Sequence, residues 1–143
     1  MEHRRFNIRV YGIWMQEGKL LVNEEQIRGD RVIKFPGGGM EYGEGTVDCL
    51  KREWQEEFGM EIEVAGHFYT TDYFQPSFFD DSQVVSIYYF VRPLFPPEMI
   101  VHREPGDRAL WVAREAVGAE LFTLPIDRRV GEMLQALWRQ QAT

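Results

Sequence analysis

Three glutamates, Glu53, Glu56 and Glu57, stand at spacings i, i+3 and i+4 in a stretch that reads as a helix. On a wheel of ~100° per residue they share one stripe. Like charges at that spacing each cost an isolated helix about 0.2–0.5 kcal/mol, so the stripe asks for a reason. One reading is a plain solvated acidic face. The other is a set of hard carboxylate oxygens suited to Mg2+ or Mn2+. A solvated face usually mixes signs, and here Lys51 and Arg52 are the only cations in the segment. Directly before it the chain spells FPGGGMEYGEG over residues 35–45. Glycines let backbone approach a ligand closely and expose its amides and carbonyls. A glycine loop feeding a carboxylate helix therefore suits a metal-bound substrate that contains phosphate.

Those side chains need elements to hold them. The helix is expected over 47–58, with Thr46 as N-cap, Asp48 facing the dipole and Gly59 just past the end. Val47, Leu50, Trp54 and Phe58 fall on its apolar arc, while Asp48, Lys51 and Gln55 point to solvent. Cys49 lies one turn before the carboxylates and reads as a small buried residue. Ahead of the loop, strands are expected over 6–15, 19–23 and 31–35, the first two joined by a turn at Glu17-Gly18. Beyond the helix, 61–71 is extended and 84–94 is the clearest strand, ended by Pro96-Pro97. A short strand over 109–113 and helical turns over 114–121 precede a last helix, with Pro125 at its first position and 126–139 after it. Val130, Met133, Leu134 and Leu137 supply its apolar face, and Trp138 is core or interface. Strands mixed with two helices make this an α/β or α+β sandwich.

Over residues 38–60 the chain reads GGMEYGEGTVDCLKREWQEEFGM. This resembles the Nudix box: Gly, five residues, Glu, seven residues, Arg-Glu, an apolar residue, any residue, Glu-Glu, any residue, Gly, an apolar residue. Gly38, Glu44, Arg52, Glu53, Glu56, Glu57 and Gly59 fill its fixed positions, and Trp54 stands where an aliphatic is more usual. Trp111-Val112 with the short helical stretch behind it also looks like a late Nudix feature.

The resemblance implies an α/β/α sandwich with a mixed β-sheet and a loop–helix–loop catalytic motif. It implies divalent-metal hydrolysis of the pyrophosphate linkage in a nucleoside diphosphate joined to another group, X. By position, Glu53 and Glu57 are the metal ligands, Glu56 is a further ligand or helps deprotonate the water, and the Gly37 carbonyl completes the shell. Mg2+ is the expected ion and Mn2+ its substitute. Arg52 and Glu44 are expected to form an ion pair that pins loop to helix. A further carboxylate is sought in a distant loop, with Glu104 first and Asp107 behind it. Gly38, Gly39 and Arg9 are expected against the substrate, with Tyr73 and Phe74 as stacking aromatics; Phe35, Tyr11, Phe78 and Phe79 stand as further candidates, and the alternative for the loop aromatics is packing on their own sheet or a homodimer contact. A nucleotide sensor without turnover, and an isomerase of isoprenoid diphosphates, share the fold and stand as rivals.

Bulk properties agree with a small-molecule substrate. The chain has 143 residues, 44% of them apolar and 14% aromatic, so a single domain over residues 1–143 with a real core is expected. A net charge of −7 argues against a nucleic acid polymer as partner. One cysteine excludes a disulfide framework within the chain. His3, His67 and His102 share no ligand spacing. No apolar run approaches a membrane span and the first residues lack a signal core, so a cytoplasmic location is expected.

Overall fold

The computed structural model describes residues 4–94 and 107–141. Alternation in the first strand sets the architecture. In β1 (Phe6–Ile13) Val10 packs toward one side and Tyr11 and Ile13 toward the other. The same split recurs in β3 (Lys19–Ile27), where Leu21 joins Val10, and Leu20 and Val22 join Tyr11. Successive side chains of a strand point to opposite faces, so both faces of the sheets are apolar and each takes a helix. Helix α1 (Thr46–Phe58) covers one side with Leu50, Trp54 and Phe58. Helix α2 (Pro125–Gln141) covers the other with Ile126, Val130, Leu134 and Trp138.

One sheet runs β5-β1-β7-β6 and is mixed. Here β5 is Gly37–Gly39, β6 is Ile62–Thr70 and β7 is Gln83–Pro93. β1 pairs parallel with β7 and antiparallel with β5. In the other sheet β3 pairs with β2 (Met15–Gln16), β4 (Asp30–Lys34) and β8 (Arg108–Ala113), all antiparallel. Two 3-10 turns, Arg114–Ala116 and Ala119–Leu121, lead into α2.

Several sequence expectations need correction. The first strand stops at Ile13 and resumes as β2, and β3 continues to Ile27 rather than ending at Asn23. β3 and β4 form a second hairpin, turning at Arg28 and Gly29 with φ of 52° and 85°. The pair at Glu17 and Gly18 has φ of 52° and 76°, and two consecutive positive φ values suit the twist of a tight hairpin. Thr46 is the first helical residue and not the cap. Gly45 is the N-cap, without a side-chain bond, and the Thr46 hydroxyl is engaged with Tyr89 Oη at 2.8 Å. Val47 is 36% exposed, so the apolar arc begins at Leu50, with Cys49 fully buried beside it. Gly59 closes the helix at φ 65°, as expected. Pro96-Pro97 lies outside the described residues.

Candidate active site

The loop and the first part of α1 are locked together by one guanidinium. Arg52 donates from Nη2 to Glu44 Oε1 at 2.7 Å and from Nε to Glu44 Oε2 at 3.0 Å, a two-pronged pair. The same Nη2 reaches the Gly39 carbonyl at 3.0 Å. Its Nη1 donates to Glu53 Oε1 at 3.1 Å and to Glu56 Oε2 at 3.2 Å. Glu44 closes the loop by accepting the Glu41 amide at 2.8 Å. The Arg52 bonds, with that amide, hold the Glu44 carboxyl down to about 2. Sequence places Arg52 and Glu44 eight residues apart, and the turn at Gly43 brings them face to face.

Glu57 has different company. It turns from α1 toward β3, where Asn23 Nδ2 donates to its Oε2 at 2.9 Å. Burial pushes its carboxyl up to about 8, against the pull of Lys34, while Glu25 and Glu53 add to the rise. Burial also raises Glu53, against the nearby Arg52. Lys34, on β4, is 4% exposed and its Nζ lies 3.3 Å from Glu25 Oε2. Burial works against the charge of Lys34, but Tyr11, Glu25 and Glu57 outweigh it and hold it protonated. Glu25 Oε2 has no directed hydrogen bond among the described residues.

Two glycines make room for this arrangement. Gly37 has φ 151°, and a Cβ there would stand 2.1 Å from the Val10 carbonyl. At Gly38 a Cβ would come within 2.5 Å of the Glu53 carboxyl carbon. The loop therefore passes under Glu53 with no side chain between backbone and carboxylate, so that both can reach one ligand there.

Beside the glutamates lies a cavity of about 350 Å3. Its floor comes from β1 and β7 with Arg9, Tyr11 and Tyr88, its far wall from the start of α2 with Asp127, and its rim from Phe78 and Phe79. Lys34 also lines it. Arg9 donates to Tyr11 Oη at 2.6 Å and is drawn electrostatically to Glu53 and Glu25. Asp127 is 2% exposed and accepts Tyr88 Oη at 2.5 Å through Oδ1. Its Oδ2 has no hydrogen-bond partner among the described residues, although the Phe35 amide is within electrostatic reach. Burial raises Asp127 to about 6.

Of the residues expected against substrate, Arg9 and Tyr11 line the cavity, and so do Phe78 and Phe79. Tyr73 and Phe74 do not line it. Tyr73 packs under the Arg129 guanidinium at 5.2 Å, and Phe74 is 70% exposed. Phe35 is core, stacked on Phe122 at 4.3 Å. Gly38 and Gly39 pair with β1 rather than lining the cavity, at its glutamate side. Cys49 is buried, and burial pushes its thiol up to about 12, so it is an inert packing residue. Glu104 lies outside the described residues, and Asp107 accepts the Gln26 amide at 3.2 Å. The sequence reading passed over Asn23, Glu25, Lys34 and Asp127. The first two fall at alternate positions in the polar second half of β3, KLLVNEEQI, and so share one face of the strand. Asp127 stands in the first turn of α2 and Lys34 at the end of β4, and nothing local to either marks it as a site residue.

As donors, Glu53, Glu56, Glu57 and the Gly37 carbonyl are all hard oxygens, the chemistry a divalent cation of the Mg2+ type selects. Among the described residues no three such side chains are drawn together as a ligand group in this arrangement. Arg52 holds Glu53 and Glu56, and Asn23 holds Glu57, so binding would exchange those contacts.

A family model described as the NUDIX domain matches residues 3–134. No curated protein matches the chain at a significant level. Many solved structures superpose. The solution structure of the E. coli ORF135 protein does so with a TM-score of 0.76 at 20% identity, covering 93% of this chain and 91% of that one. A NUDIX hydrolase from Nitrosomonas europaea gives 0.71 at 22% identity over 91% and 88%. An ADP-ribose pyrophosphatase from Streptococcus suis gives 0.64 at 16% identity over 96% and 92%. Likeness at these identities speaks for the fold. Among the described residues no helix is long and apolar enough to cross a membrane.

Proposed function

The chain belongs to the Nudix hydrolase family, and from that premise we propose that it acts as a single domain to cleave the diphosphate linkage of a small nucleoside diphosphate derivative with the help of Mg2+. The observation that carries this reading is the junction between Glu57 and the cavity. A half-buried carboxylate of the box, Glu57, feels the charge of Lys34, and Lys34 in turn lines a cavity large enough for one ring system and its sugar. Glu53, Glu57 and Glu56, with the Gly37 carbonyl, would hold the cation; Mn2+ would substitute for Mg2+. When bound, that ion supplies charge neutralisation of the diphosphate and activation of water.

The chain's own residues do the rest. Arg52 and Glu44 fix the loop so that Gly38 stays under Glu53. Asn23 orients Glu57. In the cavity, Asp127 Oδ2 has no directed hydrogen bond among the described residues, which suits an N–H donor such as a nucleobase edge. Phe78 and Phe79 cap the ring at the rim. The small acidic chain and its cavity of about 350 Å3 speak for a nucleotide-sized substrate rather than a polymer.

The test is a metal-dependent panel assay covering nucleoside triphosphates and their oxidised forms, ADP-ribose, nucleotide sugars, NADH and dinucleoside polyphosphates, with Glu57→Gln alongside. Turnover of one class, lost in the variant and without metal, is the expected result. Thermal stabilisation by a panel compound with no turnover of any would replace this reading with a nucleotide sensor.

A further inference from the structure

The resting site contains a cation that the box does not account for. Lys34 is buried at the boundary between two regions: it lines the cavity, and its charge acts on Glu57 and Glu53. Its Nζ lies 3.3 Å from Glu25 Oε2 and 5.4 Å from the centre of the Tyr11 ring. A buried ammonium is costly unless paired, and here one carboxylate and one aromatic face provide the pairing. Apart from Lys34, Glu25 Oε2 has no hydrogen-bond partner among the described residues. The pair thus has capacity left over on both sides.

The boundary is also where a substrate must change character. Whatever fills the cavity between Asp127 and the aromatic rim must pass its diphosphate toward Glu53 and Glu57. The carboxylates there repel phosphate oxygens. Among the described residues, Arg9 and Lys34 are the cavity-lining cations whose charges also act on these glutamates. Arg9 is already bonded to the Tyr11 hydroxyl at 2.6 Å. Lys34, a compact charge with rotatable donors, keeps donors beyond its ion pair with Glu25.

We propose that Lys34 is a phosphate-binding residue of this site, held in reserve by Glu25 until a diphosphate arrives, and that the same charge lowers the resting affinity of the carboxylates for a divalent cation. This rests on the diphosphate-hydrolase reading above. It has an unusual signature, because one substitution must move two affinities in opposite directions. Removing the lysine charge takes a repulsive neighbour away from the metal and an attractive one away from the phosphate.

The experiment measures Mn2+ binding alone, by calorimetry, and then binding of α,β-methylene-ADP, a non-hydrolysable diphosphate ester, in the presence of saturating Mn2+. Lys34→Met should bind Mn2+ about 2–10-fold more tightly and the diphosphate about tenfold or more weakly. Because that variant strands Glu25 in the interior, Lys34→Met/Glu25→Gln is measured beside it. The double variant should bind Mn2+ close to wild type and still lose the diphosphate. Lys34→Arg should restore most of the diphosphate affinity. Unchanged diphosphate affinity in the folded double variant, or Mn2+ binding that weakens in Lys34→Met, would overturn the assignment while leaving the hydrolase reading in place. A wild-type protein that binds neither Mn2+ nor the ester would overturn that reading and this one together.

Discussion

The two ends of the glutamate stripe differ in how well their charges are satisfied. Around Arg52 the bookkeeping closes: Glu44, Glu53, Glu56 and the Gly39 carbonyl all accept from it, and Glu44 sits well below its ordinary range. Around Glu57 it stays open. Glu57 is raised to about 8, Glu25 and Asp127 each keep a buried oxygen without a directed hydrogen bond among the described residues, and Lys34 is buried among them. A region whose groups are mutually satisfied holds a shape. A region whose buried groups remain short of partners is less stable than it need be, and that deficit is what a ligand can relieve. On this contrast, the Arg52 end is architecture and the Glu57 end is where binding happens.

Substitution at Glu57 tests the contrast most severely. Glu57→Gln should lower turnover by about 10²–10³-fold or more, yet raise the stability of the metal-free protein above pH 8. The sign follows from linkage. An acid whose folded pKa is raised from 4.5 to about 8 keeps its proton in the native state where the unfolded chain has lost it, so stability falls as pH rises through that window. Denaturant titration of the metal-free proteins at pH 5 and pH 9 reads this directly, and a variant that loses stability at pH 9 would break the contrast.

Asp127 should behave the same way, more weakly. Its shift from 3.8 to about 6 predicts that about 3 kcal/mol of stability is lost between those pH values. Asp127→Asn should flatten that part of the profile and weaken substrate binding without changing metal affinity, as pH-dependent unfolding and calorimetry would reveal.

At the satisfied end the two properties should move together. Arg52→Ala removes the guanidinium from Glu44 and from the Gly39 carbonyl, and the side chain is partly exposed, so a loss of about 1–2 kcal/mol is expected, with lower turnover as the loop shifts. Arg52→Ala with unchanged melting and unchanged turnover would remove its architectural role. The smallest effect is expected at Thr46, whose hydroxyl bonds Tyr89 instead of capping the helix. Thr46→Val should cost about 1 kcal/mol or less and leave turnover alone. A loss near 2 kcal/mol in thermal unfolding would point to a capping role after all.

Much of this was written in the chain. The spacing of the glutamates fixes them to one stripe of α1, because helical geometry is local. Gly59 ends that helix for a conformational reason internal to the residue, and Glu17-Gly18 turns its hairpin for the same kind of reason. The glycine loop, the apolar arc from Leu50 to Phe58 and the intact box were legible together, and so were the α/β class and the family. What sequence left open depended on distance through space. Nothing local says that Lys34 and Glu25 meet across a hairpin, that Asn23 on β3 reaches Glu57 on α1, or that Tyr88 on β7 bonds Asp127 on α2. Thr46 had a capping residue's chemistry, and Tyr89 from β7 claimed its hydroxyl. Local rules choose the elements; burial and pairing, which only the packed sheets create, choose which charged groups stay satisfied and which are left for a ligand.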